Sequence, residues 1–191
     1  MIRTALITGL VLAAFNAMAQ TPHPFDPIAE VLQHPRCLNC HTFTEYPTQS
    51  RKVVDPTTGE VSYVRFRHAQ RVIRGEDGFG APTLQCGACH QDENVADGKM
   101  PGAPHWHLAP LSMGWEGLNR RELCQALTDT DKNGNRDVPA LVKHMKEDKL
   151  VLWGWDPGAD RDPPPHDLAA FAEFLDTWQA ADDAGNTCPE S

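Results

Sequence analysis

The chain has 191 residues, with 17 basic against 26 acidic side chains, a formal net charge of −9 and 40% hydrophobic residues. That balance disfavours a nucleic-acid partner, whose phosphates select the opposite sign. No apolar run approaches the ~20 residues a spanning helix needs, and the length allows one or two small domains.

Residues 1–19 read as a secretory signal peptide, with Arg3 as the charged start, Ala5 to Phe15 as the apolar stretch and Ala17-Met18-Ala19 as the cleavage site. Export to the periplasm follows, and with it an oxidising compartment. Asp26-Pro27, then Ile28, Val31 and Leu32, predict a capped helix that stops near Cys37-Leu38-Asn39-Cys40-His41. Apolar runs on either side of Asp55-Pro56-Thr57-Thr58-Gly59 predict a small hairpin over Val53 to Phe66. Phe66 to Arg74 reads as a helix closed by Gly75, and Gly75 to Gly80 as a glycine-rich approach to Cys86-Gly87-Ala88-Cys89-His90.

Pro101 to Pro110 is a proline-rich loop. Helices return at Asn119, whose spacing to Glu122 fits a capping box, and again at Asp137, before Leu141, Val142 and Met145. Leu168, Phe171, Phe174, Leu175 and Trp178 form the clearest amphipathic helix, ending by Gly185. Asp129-x-Asp131-x-Asn133-Gly134-x-x-Asp137 follows a calcium loop until its twelfth position, where Ala140 replaces the required Glu; a polar turn between helices is the simpler reading.

The two Cys-x-x-Cys-His copies carry the chemistry. Each spacing places two thiols on one helical turn, within reach of one porphyrin edge, with the next residue offering an imidazole to the iron. Cys37, Cys40 and His41 thus bind one haem c, and Cys86, Cys89 and His90 a second. A structural zinc site from the four thiols is the competing chemistry, but His follows the second Cys both times and the chain carries an export signal. Only 44 residues separate His41 from Cys86, too few for two complete single-haem domains in tandem, so both haems share one unit.

The sixth ligands come from the remaining imidazoles and thioethers. His68 is the first choice for one iron. His107 is the first choice for the other, since the Pro-rich loop with Trp106 can hold it while His105 faces away. Met113 is the main competitor; Met100, His144 and Met145 rank below it. Cys124 and Cys188 remain for a disulfide.

The fold expected is mostly α, a compact dihaem cytochrome c-like unit with long loops and one small β-hairpin. Residues 20–118 form the haem-binding region, and 119–191 a helical region packed on it. Residues 51–74 hold Arg51, Lys52, Arg65, Arg67, Arg71 and Arg74 against Asp55 and Glu60, whereas 156–191 hold nine acids against Arg161, a dipole suited to steering a redox partner.

The stretches HPRCLNCH (34–41), RVIRGEDGFGAPTLQCGACHQDEN (71–94), MPGAPHWHLAP (100–110) and LVLWGWDPG (150–158) resemble exported dihaem cytochromes c labelled as isoquinoline 1-oxidoreductase subunits. The resemblance implies service as electron acceptor to a periplasmic dehydrogenase or molybdenum hydroxylase. It places His107 at the W-H-L-A-P position and carries no molybdopterin-binding signature with it. The function implied is periplasmic electron transfer without catalysis. A dihaem enzyme with one open iron for peroxide or nitrogen-oxide reduction, and a haem-based redox or gas sensor, are the alternatives.

Overall fold

The computed structural model describes residues 21–97, 99–158 and 161–190; the signal-peptide reading lies outside them. Helix α1 (Asp26–Leu32) starts with Pro27 in its first turn, where a missing N–H costs nothing. Asp26 is the first helical residue rather than the cap, and its carboxylate accepts the His23 N–H at 2.9 Å. Pro35 then opens the short α2 (Pro35–Leu38), which carries Cys37; His34 caps it by accepting the Arg36 N–H.

Strands β1 (Thr48–Val54) and β2 (Val61–Arg67) pair antiparallel, with Val54 opposite Val61 and Thr48 opposite Arg67. Asp55 closes the turn by accepting the N–H groups of Thr57 and Thr58 at 2.7 and 2.9 Å. The helix expected over Phe66 to Arg74 does not form. Only Phe66 and Arg67 of that stretch join the strand; beyond it the N–H groups of His68 and Arg74 donate to the carbonyls of Pro47 and Glu45 at 3.0 and 2.8 Å, partners outside any i→i−4 ladder. His68 therefore stands just past a strand, and residues 68–75 are irregular. A second small ribbon, β3 (Gly80–Ala81) with β4 (Leu84–Gln85), adds to the single hairpin expected.

Asn119 and Glu122 close the capping box of α3 (Arg120–Thr128) in both directions. Asp137 caps α4 (Val138–Glu147), Asp148 caps α5 (Lys149–Leu152) and Asp167 caps α6 (Leu168–Asp183). Cys124 and Cys188 are disulfide-bonded with Cα atoms 5.6 Å apart, which ties the C-terminal segment to α3. The calcium-like loop is a turn: Lys132 holds Asp129 at 2.8 Å, and the buried Asn133 amide bonds Leu127 and Arg136 carbonyls.

Among the described residues helix outweighs strand, 35% to 11%. The hydrophobic core is built from α1, α3, α4, α6, Met113 and Trp115, and takes no residue between Leu38 and Ala109. Over that intervening stretch the buried apolar side chains are few: Val72, Cys86, Ala103 and Leu108. Phe43, Val64, Phe66, Ile73, Leu84, Val95 and Met100 stay exposed there. No described helix is long and apolar enough to cross a membrane.

Candidate haem sites

Both motifs fold as single tight turns. In the first, Cys40 N–H and His41 N–H each return to the Cys37 carbonyl at 3.1 and 2.9 Å; in the second, Cys89 and His90 return to Cys86 at the same two distances. Identical spacing thus produces the same pair of hydrogen bonds, although one turn continues α2 and the other follows β4 as a 3-10 turn. None of the four motif cysteines is disulfide-bonded. Burial pushes the Cys37 thiol up to about 12 and Cys40 up to about 11, and raises Cys86, so these groups are neutral at neutral pH.

The two motif histidines share a setting that spacing alone did not disclose. His41 Nδ1 meets the Met113 carbonyl at 2.9 Å, and His90 Nδ1 meets that of Pro101 at 2.8 Å. Since a carbonyl only accepts, each Nδ1 carries the proton and each Nε2 keeps its lone pair for a metal. An indole lies flat on each ring: Trp115 on His41 at 3.4 Å and 9°, Trp106 on His90 at 4.4 Å and 5°. Burial drives the His41 pKa down to about 3 and also lowers that of His90, so both stay neutral.

His68 faces His90 with ring centres 6.0 Å apart and planes at 69°. Its Nδ1 is engaged with the backbone of Gln70. Neither His68 Nε2 nor His90 Nε2 has a hydrogen-bond partner among the described residues. With a metal–imidazole bond of about 2 Å and a ring centre about 1 Å behind its nitrogen, two rings across one ion stand about 6 Å apart. The observed separation fits that requirement.

His107 and His144 both lie within electrostatic reach of His41 and of each other. His107 is stacked on Phe79 at 4.7 Å, and its neighbour Leu108 donates to Gly78 at 3.0 Å, joining the Pro-rich loop to the second motif. Gly78 has a φ of +84°, and a Cβ there would stand 2.5 Å from the Leu108 carbonyl oxygen, so only glycine permits this approach. His105 is exposed, and its φ of +59° departs from the extended backbone expected of this loop. His144 is half-exposed on α4 and paired with Asp148 at 3.5 Å.

The thioethers are placed elsewhere. Met113 lies behind His41, its carbonyl bound to that ring and its side chain in the core, and Met145 is likewise buried in the core. Met100 is exposed. Arg74, counted above with a basic surface, is 5% exposed and donates to the carbonyls of Thr42, Thr44 and Ala109.

Residues fit for a porphyrin in two further respects. Trp115 Nε1 and Arg36 Nε, both beside the first motif, are buried donors without a partner among the described residues. The exposed apolar side chains of residues 43–100 are available to cover a flat macrocycle. Among the described residues, no three His, Cys, Asp or Glu converge closely enough to hold one metal ion. No protein-family model, no curated protein and no solved structure matches this chain.

Proposed function

We propose that the protein is a periplasmic electron-transfer protein carrying two covalently attached haems c. Cys37 and Cys40 hold one with His41 as axial ligand, and Cys86 and Cys89 hold the other with His90. His68 completes the second iron and His107 the first. The observation that carries this reading is the His68–His90 pair, with ring centres 6.0 Å apart and neither Nε2 hydrogen-bonded among the described residues.

When bound, each haem supplies a one-electron ferric/ferrous couple. The chain does the rest. Its thiols anchor the group. The carbonyls of Met113 and Pro101 fix the tautomer of the motif histidines and raise their donor strength, and the stacked indoles hold both rings against rotation. The exposed Arg51, Lys52, Arg65, Arg67 and Arg71 give an acidic redox partner, such as a periplasmic dehydrogenase or a molybdenum hydroxylase, a face to approach.

The test is the exported holoprotein and its His68→Ala variant. The wild type should carry a mass increment for two haems and show two low-spin spectra that ignore carbon monoxide. His68→Ala should keep both haems, make one of them carbon-monoxide-reactive, and recover a low-spin spectrum on addition of free imidazole. A wild type without the mass increment, or a variant with two unaltered low-spin haems, refutes the assignment.

A further inference from the structure

Residues 91–100 run from His90 to the Pro101 carbonyl that meets its Nδ1, and among the described residues of that loop only Asn94 is not exposed. Three bonds fix its amide. Oδ1 accepts the Trp153 Nε1–H at 2.9 Å and the Gly102 N–H at 3.0 Å, while Nδ2 donates to the Asp156 carbonyl at 2.9 Å. Two donors facing one end and an acceptor facing the other leave a single orientation for the group. Gly102 is required for this approach, because a Cβ there would collide with the Glu93 carbonyl oxygen.

These bonds reach both supports of the His90 ring. The Gly102 N–H and the Pro101 C=O belong to one planar peptide unit, so the bond that fixes the N–H also aims the carbonyl at His90 Nδ1, 2.8 Å away. Donation from that N–H to Asn94 polarises the same carbonyl and strengthens it as an acceptor. On the other side, Trp153 stands edge-on to Trp106 at 4.7 Å and 77°, and Trp106 lies flat on His90 at 4.4 Å and 5°. One amide oxygen therefore holds the acceptor of the His90 proton and the indole that backs the stacked ring. His41 is supported differently: Met113 and Trp115, which hold it, both belong to the hydrophobic core.

We propose that Asn94 is a positioning residue for His90, setting the plane of its imidazole and its donor strength toward iron. This rests on the dihaem reading above and adds to it a side chain that tunes one haem and leaves the other alone. With Asn94 removed, the Pro101 carbonyl loses its aim and polarisation, His90 becomes a weaker donor to ferric iron, and the potential of that haem rises.

The experiment compares the full exported holoprotein with Asn94→Ala, Trp153→Phe and Asn119→Ala. It reads haem mass increments, both midpoint potentials by spectroelectrochemistry, and the electron paramagnetic resonance spectrum of the ferric protein. The angle between the two axial ring planes governs the g anisotropy of a low-spin ferric haem, so that spectrum reports ring orientation rather than stability. With both haems retained, Asn94→Ala should raise one midpoint potential and shift and broaden the largest-g feature of one haem, with the other haem unchanged. Trp153→Phe loses the Nε1–H but keeps a ring beside Trp106, and should move the same haem by less. Asn119→Ala loosens the α3 cap, which bonds neither motif, and should move neither haem. If Asn94→Ala does not accumulate, Trp153→Phe decides. Unaltered potentials and spectra in the dihaem variants, or equal shifts of both haems, overturn the proposal while leaving the haem reading intact. A wild type lacking the mass increments overturns both.

Discussion

Replacing Arg74 with methionine removes a buried guanidinium at nearly constant volume. Arg74 is 5% exposed, and its donors reach Thr42 at 2.9 Å, Thr44 at 3.0 and 3.3 Å, and Ala109. Three carbonyls from two segments, one following His41 and one following His107, thus lose their donors together. A buried acceptor without a partner costs about 1–3 kcal/mol. Thr44 and Ala109 are only half-buried, so water relieves part of this, and removing a charge from the interior returns some desolvation energy. The net loss expected is about 2–4 kcal/mol, within the range for a broken buried network.

Urea unfolding of the holoprotein, followed by far-ultraviolet circular dichroism, measures this directly. In a chain of this size 1 kcal/mol moves the midpoint temperature by about 2–4 °C, so a fall of roughly 10 °C should accompany it. Arg71→Met is the control, since Arg71 is exposed three residues away, and it should change stability by less than about 0.5 kcal/mol. An Arg74→Met protein within about 1 kcal/mol of wild type would refute the claim that this guanidinium staples the loops around the first site.

Burial lowers the His34 pKa to about 4, with Arg36 assisting, while its unfolded value is 6.5. The unfolded chain therefore takes up a proton first as pH falls, and stability should decline from pH 6.5 and level off near pH 4. His34→Gln should flatten that part of a stability–pH profile measured by urea unfolding, and a profile with the wild-type slope would refute the assignment. Replacing Cys124 and Cys188 together by serine opens a link between residues 64 apart in sequence and should cost about 4 kcal/mol by the chain-entropy model, read by thermal unfolding. Asn119→Ala removes one arm of a capping box and should cost about 1 kcal/mol by the same assay, with no change in haem content.

What the sequence disclosed and what it concealed divide along physical lines. Helix caps are local: Asn119, Asp137 and the spacing of Phe171, Leu175 and Trp178 are readable because each involves residues within two turns. The disulfide was reached by subtraction, two cysteines being left after the motifs. Residues 66–74 carry a helical period in sequence, but the carbonyls of Pro47 and Glu45 that take the N–H groups of His68 and Arg74 lie 21 and 29 positions away, beyond the reach of any local pattern. Arg74 was placed on a surface for a similar reason: charge implies exposure only on average, and the three carbonyls that justify its burial come from segments about 30 and 35 residues away. The stacking of Trp115 on His41 spans a separation no periodicity reports, although Trp106, one residue before His107, marks the loop that reaches His90.

The distribution of the core bears on how the proposed haems work. A helical core holds α1, α3, α4 and α6 together and anchors Trp115 and Met113, the two residues that fix His41. The described residues between Leu38 and Ala109 add nothing to that core, yet their backbone is set by Arg74, by Gly78 against Leu108, and by Gly102, whose N–H donates to Asn94. Hydrogen bonds can direct a loop but leave its apolar side chains wet, and each large one that is later covered contributes about 1.5–3 kcal/mol. Phe43, Phe66, Ile73 and Leu84 form such a reserve. On the dihaem reading, porphyrin faces supply the missing core, so thioether attachment completes the fold of this segment as well as arming it. Holoprotein and protein made without haem attachment should then differ most in hydrogen exchange at residues 43–108 and least in α3, α4 and α6. Equal protection of the middle segment in both would show that it folds by itself, and the argument from the absent core would fail.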